Sequence, residues 1–147
     1  MFPQSKVDVM WPSSTISNAG TLTANLDTMG FDFVEIDVVT TSADAATNNP
    51  SIFKLSESDD TVVTNFADIA AFVGDGASGW TIPNWATDTN QPKVVRLNVD
   101  CRHRKRYLRL TISPVTTHTF TVVAHLHRGE VTPVTAAEVN ALAVVSG

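Results

Sequence analysis

Short segments in which apolar and polar residues alternate recur along this chain of 147 residues. In residues 31–40, for example, Val34, Ile36 and Val38 alternate with Glu35 and Asp37. A period of two residues places the apolar side chains on one face of a β-strand and the polar ones on the other. The same pattern marks residues 21–27, 51–56, 93–99, 107–113 and 119–127. The chain is therefore expected to contain at least six half-buried strands.

Helical patterns are scarce, and this limits the fold class. A parallel α/β fold would need a helix after nearly every strand. The sequence instead predicts an all-β fold, an antiparallel β-sandwich that is jelly-roll-like or, as the alternative, immunoglobulin-like. One short helical insert is expected at residues 65–72, where Asn65 is a candidate N-cap and Phe66, Ile69 and Phe72 would face the core.

The length fits one domain of ordinary size. Apolar residues make up 43% of the chain and charged residues only 17%, a balance that excludes a disordered protein. We predict an N-terminal arm at residues 1–20, a β-sandwich domain at 21–133 and a C-terminal arm at 134–147. The N-terminal sequence lacks the apolar run of a signal peptide, and no segment is long and apolar enough to span a membrane. A soluble protein that is made without secretion is therefore expected.

A basic window lies between two of the predicted strands. It contains five of the ten basic residues of the chain, while all fifteen acidic residues lie outside it. Such a compact positive segment on an acidic protein suits a partner of complementary charge. The five basic residues of this window are Arg102, Arg104, Lys105, Arg106 and Arg109.

Three interpretations of the basic window are open. In the first, its guanidinium groups bind carboxylates of a neighbouring subunit. In the second, they pair with local acids such as Asp100, where exposed ion pairs contribute little stability. In the third, they bind nucleic acid, but Tyr107 is the only aromatic residue nearby to stack on bases. We favour an assembly contact and expect no nucleic-acid partner.

Candidate metal ligands are present but poorly grouped. His125 and His127 would point to the same face of a strand, where a third ligand such as His118 or His103 would complete a zinc site. The acidic segment at residues 56–60 lacks the spacing and the glycine of a calcium loop. We predict no metal site and no cofactor.

Catalytic patterns are also weak. The single cysteine, Cys101, lies near basic residues but has only His103 as a candidate base, so we expect it to be unreactive. No intrachain disulfide is available to a chain with one cysteine. Trp11, Trp80 and Trp85 would suit a sugar-stacking platform, although tryptophans more often anchor cores or interfaces. The chain is therefore expected not to be an enzyme, with carbohydrate binding as an alternative function.

Several segments, in this order along the chain, resemble small structural proteins of tailed bacteriophages of the type that decorates or cements icosahedral heads. The combination of LSESDDTVVTNF with a later RKRYLRL is the most specific part of the resemblance. The first twenty residues are not part of it. The segments are FDFVEIDVV, IFKLSESDDTVVTNFADIAAFVG, KVVRLNVDCRHRKRYLRLTISP and HRGEVTPV.

The resemblance implies a non-enzymatic virion component on the outer surface of the capsid, made in the host cytoplasm. Its partners would be the major capsid protein and further copies of itself, arranged as a homotrimer over junctions between capsid subunits, with no membrane partner. Head–tail connection and tail-associated roles are alternatives, since fold alone does not determine function. Besides the basic window, the two arms are expected to supply apolar interface residues, namely Phe2, Trp11, Val144 and Val145.

Overall fold

The computed structural model of the protein describes residues 5–40, 49–83, 93–128 and 143–146. These residues form nine β-strands and two short 3-10 turns, at Val63–Asn65 and Cys101–His103. The strands are β1 (Ser5–Ile16), β2 (Leu22–Asp27), β3 (Phe33–Thr40), β4 (Ile52–Ser58), β5 (Ala67–Val73), β6 (Lys93–Asp100), β7 (Tyr107–Ser113), β8 (His118–His127) and β9 (Ala143–Ser146).

The strands form two sheets, with the orders β1-β8-β3-β6-β9 and β2-β7-β4-β5. Four antiparallel pairs, β1 with β8, β2 with β7, β3 with β6 and β4 with β5, join the strands into a double ribbon. A long double ribbon of this kind, wound so that successive pairs alternate between two sheets, is a jelly roll. The predicted β-sandwich is therefore confirmed, and its strand order is that of the predicted jelly roll rather than of the immunoglobulin-like alternative.

The core lies between the two sheets and follows the predicted alternation. In β3, Val34, Ile36 and Val38 are at most 2% exposed, while the residues between them are half-buried on the outer face. β6 contributes Leu97 and β7 contributes Leu110 to the same core, each at most 1% exposed. Burial of each such side chain stabilises the fold by about 1.5–3 kcal/mol.

The helix predicted at residues 65–72 is wrong. Val63–Asn65 is a single 3-10 turn, and Ala67–Val73 is strand β5. Between the pairs Ser56–Asp68 and Lys54–Val73, β4 advances by two residues while β5 advances by five. This irregularity turns both Ile69 and Phe72 into the core, although they are three residues apart. The spacing that indicated a helix therefore comes from a bulged strand.

Both predicted arms contain strands of the sandwich. Ser5–Ile16, within residues 1–20, pairs with β8 as an edge strand of the five-stranded sheet. Ala143–Ser146, within residues 134–147, pairs in parallel with β6 at the opposite edge. Contacts of these terminal segments with neighbouring subunits remain a prediction.

Candidate assembly interface at the charged end

Three connections meet at one end of the sandwich. β2 ends at Asp27 and β4 ends at Ser58, and both of these residues pair with Tyr107 at the start of β7. Asp100, the last residue of β6, pairs with Phe33 at the start of β3. The connections β2–β3, β4–β5 and β6–β7 therefore emerge together, and we call this region the charged end. It contains the basic residues 102–106 and the carboxylates of Asp27, Glu57, Asp59 and Asp100.

Two arginines of the charged end form close ion pairs with carboxylates. Arg106 donates two hydrogen bonds to Asp27, from Nε at 3.0 Å and from Nη2 at 2.6 Å. Arg102 binds the carboxylate of Asp100 in the same manner, at 2.9 and 2.6 Å. Each guanidinium also lies over an aromatic ring, Arg102 over Phe33 at 4.7 Å and Arg106 over Tyr107 at 4.8 Å. These contacts give both side chains defined directions at the surface.

The other two basic side chains face the end of β4 and the start of the β4–β5 connection. Arg104 lies 3.8 Å from a carboxylate oxygen of Glu57. Lys105 Nζ lies 3.4 Å from Asp59, and the backbone N–H of Lys105 donates to Glu57 at 3.0 Å. The basic window is therefore part of a mixed-charge surface in which each of these cations has a carboxylate within 4 Å.

The ion pairs change the acidity of two carboxyl groups. The hydrogen bond from Arg102 lowers the pKa of Asp100 to about 2. The hydrogen bond from Arg106 likewise lowers the pKa of Asp27, against an opposing effect of burial. Both carboxylates therefore stay charged well below neutral pH, and the alternating charge pattern persists under physiological conditions.

Arg109 is separated from the other basic residues. It lies on the outer face of β7, as its position in the alternation predicts, but it is only 6% exposed. Its guanidinium carbon lies 3.7 Å from the centre of the Phe66 ring. Nε donates to Asn25 at 2.8 Å, and Nη1 donates to the carbonyl of Val63 at 3.2 Å. The β4–β5 connection thus covers Arg109, whose side chain holds that connection against the sheet. A place for Arg109 in an assembly contact stays a prediction.

Exposed apolar residues lie in two of the connections at the charged end. Met29, in the β2–β3 turn, is 68% exposed, and Val62 and Val63, in the β4–β5 connection, are 53% and 72% exposed. Apolar side chains among charged groups are typical of protein–protein interfaces. The sequence analysis did not single out these residues, because alternation gives no information about residues in turns. In the sequence, each of these apolar residues lies next to a threonine between two strands.

The apolar interface candidates in the two arms that the structure describes lie outside the charged end and are partly or fully buried. Trp11 is partly buried against the core, and its indole Nε1 is buried without a hydrogen-bond partner in the structure. Val145 is 7% exposed and belongs to the core, and Val144 is half-buried. Phe2 lies outside the described residues. The three described residues therefore pack on their own domain.

The two candidate zinc-binding histidines lie on the outer face of the five-stranded sheet, beside carboxylates. His125 Nε2 is 3.8 Å from Asp37, and His127 Nε2 is 3.5 Å from Glu35. Arg96 donates two hydrogen bonds of 2.6 Å to the carboxylate of Asp37. Within the described ranges, no group of three or more His, Cys, Asp or Glu side chains has the arrangement of a metal site.

The remaining chemical candidates have structural roles. Cys101 is buried, and this burial raises the pKa of its thiol to about 12, so the reactive thiolate is suppressed. In the acidic segment, Asp60 accepts hydrogen bonds from Asn65 and from the backbone N–H of Val62, which lower its pKa. These bonds shape the β4–β5 connection.

The described tryptophans do not form an exposed platform. Trp80 packs edge-on against Phe53, with ring centres 5.0 Å apart, and its indole nitrogen is buried. Trp11 packs against the core near β8. Trp85 lies outside the described residues. The described residues also include no helix long and apolar enough to cross a membrane.

Comparisons with known proteins address the fold. No protein-family model matches the chain, and no curated protein matches its sequence. Its structure is similar to that of the SPBc2 prophage-derived protein YomS, with 14% identity and a TM-score of 0.48 over 86% of this chain and 96% of that chain. It is also similar to part of a family GH115 4-O-methyl-α-glucuronidase with specificity for decorated arabinogalactans, with 14% identity and a TM-score of 0.42 over 88% of this chain and 16% of that chain. One structural neighbour is thus a prophage-derived protein, and at this similarity neither assigns an activity or a partner to this chain.

Proposed function

We propose that the protein is a non-enzymatic structural component of a bacteriophage virion, which decorates the outer surface of the capsid and links neighbouring capsid subunits through its charged end. Its partners would be the major capsid protein and further copies of itself. The observation that carries the proposal is the charged end, which holds four ion pairs and whose β2–β3 and β4–β5 connections carry the exposed side chains of Met29, Val62 and Val63. The resemblance of several sequence segments to phage head proteins supports this class of partner.

The physical argument rests on how charged and apolar groups share an interface. The apolar side chains at the charged end would supply the burial that stabilises contact. The surrounding ion pairs are partly exposed, so each adds little affinity by itself. Their alternating signs would instead set the orientation of the subunit and disfavour wrong partners. Many copies on one shell would then hold the capsid together through contacts that are individually weak.

A charge swap tests the role of the charged end. Asp27→Arg together with Arg106→Asp keeps an ion pair between β2 and the start of β7 but reverses its polarity toward a partner. We expect unchanged unfolding and at least about a tenfold loss of affinity for purified phage heads assembled without the protein, measured by co-sedimentation. The matched control swaps Lys54 and Asp68, an ion pair between β4 and β5 in which Lys54 lies four residues before the end of β4 at Ser58, and is expected to bind like the wild type.

The outcomes separate the alternatives. Equal affinity of the Asp27/Arg106 swap and the wild type would exclude this end as the contact surface. Binding to purified tails or connectors, but not to heads, would exclude capsid decoration and support the tail-associated role. A glycan-dependent change in tryptophan fluorescence, with no head binding, would support the carbohydrate-binding alternative.

A further inference from the structure

We propose that β9 is an exchangeable strand, which in assemblies of this protein leaves its own domain and pairs with the β6 edge of a second copy. The proposal concerns contacts between copies and does not depend on the virion role. It rests on the topology of β9, on the backbone edge to which it binds and on the length of chain that precedes it.

The jelly roll is complete without β9. Strands β1–β8 already form the four antiparallel pairs of the double ribbon and fill two four-stranded layers. β9 is added at the outside of β6, is only four residues long and makes the one parallel pair among the named strands of the described structure. A four-residue strand at the outer edge of the sheet can leave without disturbing the pairs within the ribbon.

The acceptor for this strand is an open backbone edge. When β9 is absent, the segment of β6 between Val95 and Asn98 presents unpaired N–H and C=O groups, and such an edge is a template for another strand. Main-chain hydrogen bonds supply affinity in this mode of recognition, and side-chain pockets supply specificity. Here the specificity comes from Val145, which is 7% exposed within the core. A second copy supplies the same valine and fits the same position.

The chain before β9 is long enough for exchange. Fifteen residues separate the end of β8 at His127 from the start of β9 at Ala143. Within one domain, the end of β8 and the start of β9 lie three strand spacings and about five residues of strand length apart, or roughly 22 Å. A chain of fifteen residues spans up to about 50 Å. More than half of this reach is therefore surplus, enough for β9 to meet the β6 edge of an adjacent copy.

Exchange of this kind preserves the native environment of the strand. Each domain still has a β9 on its β6, so the hydrogen bonds and the valine packing that β9 leaves in its own domain form again on the neighbouring copy. Crowding of copies on a surface then favours the exchanged form, because the effective concentration of the neighbouring edge is high. The result is a covalently continuous link between domains that exposed ion pairs alone do not provide.

Two single-cysteine chains test the proposal, both in a Cys101→Ala background. Asn98→Cys places a thiol on β6, where the carboxamide it replaces is buried without a hydrogen-bond partner in the structure. Ser146→Cys places the other thiol at the paired position of β9. Neither chain can form this disulfide alone. The two are refolded together at high concentration, one carrying a size tag, and oxidised, and the mixed covalent dimer is measured on a non-reducing gel.

We expect the mixed dimer at a yield at least about fivefold above that of a control pair, in which Ser146→Cys is replaced by Val7→Cys on the exposed edge strand β1. Addition of Val145→Asp to the Ser146→Cys chain should remove the excess, because a carboxylate cannot occupy the core position. The chain with both Asn98→Cys and Ser146→Cys serves as the register control. Internal cross-linking of this double variant, with a mixed dimer no more abundant than in the Val7 control, would overturn strand exchange.

Discussion

Arg109 shows how the environment of a single residue decides its role. Its alkyl chain and guanidinium are enclosed by Phe66, Asn25 and the carbonyl of Val63, so its charge is satisfied inside the fold. Removal of this side chain leaves the carbonyl and the amide without their donor and opens space beneath the ring. The residue therefore stabilises the β4–β5 connection that carries the exposed valines.

Replacement of Arg109 by alanine is expected to lower the free energy of unfolding by about 2–4 kcal/mol, since it removes two hydrogen bonds and a cation–π contact at a buried site. Arg109→Lys should recover only part of this loss, because lysine lacks the planar fork of donors. Arg102→Ala, at a side chain that is 48% exposed, is the matched control and should cost less than about 1 kcal/mol. Urea unfolding measures all three, and equal losses for Arg109→Ala and Arg102→Ala would contradict the buried role.

Asp27 and Asp100 make the stability of the folded protein depend on pH in the acidic range. Their pKa values are lowered in the folded state, so their stabilising effect is complete above the ordinary value near 3.8 and is lost as the pH falls toward the folded value, about 2 for Asp100. We expect the Tm to fall as the pH is lowered from about 5 to about 2. The decline should be shallower in a variant with both Asp27→Asn and Asp100→Asn. A decline of the same steepness in that variant would assign the acid sensitivity to other groups.

At the scale of elements, sequence alternation predicts strands well where one face of the strand is buried. Val34, Ile36 and Val38 in β3 follow it without interruption, and the predicted bounds of this strand lie within about two residues of the observed ones. β7 behaves in the same way, with its core residues Leu108, Leu110 and Ile112. The local pattern is enough here because successive side chains of a regular strand point alternately toward the opposite sheet and away from it.

β5 cannot be predicted from local alternation. Ile69 and Phe72 both face the core because the register against β4 slips by several residues, and only the partner strand determines that slip. The burial of Arg109 has a similar origin, since it depends on the path of the β4–β5 connection. In both cases the deciding contact comes from a segment that the pattern of the strand itself does not describe.

The whole molecule brings together charges that lie far apart in the chain. Arg106 and Asp27 are 79 residues apart, and Lys105 pairs with Asp59 of the distant β4–β5 connection, yet the jelly-roll ribbon places all four at one end of the sandwich. The sequence therefore predicted the basic window but not its carboxylate partners, apart from Asp100 close by. In the sequence the basic window looks like an unpaired cationic patch. In the fold, Arg102, Arg104, Lys105 and Arg106 are paired with carboxylates and form a mixed-charge surface.

This mixed-charge surface is the basis of the proposed capsid contact, and a reconstruction of the virion at side-chain resolution tests it most directly. The expected result is density for this jelly roll on the outside of the capsid, with Met29, Val62, Val63 and the ion pairs of the charged end against the major capsid protein. Density for the protein on the tail alone, or on the capsid with the charged end directed into solvent, would contradict the account.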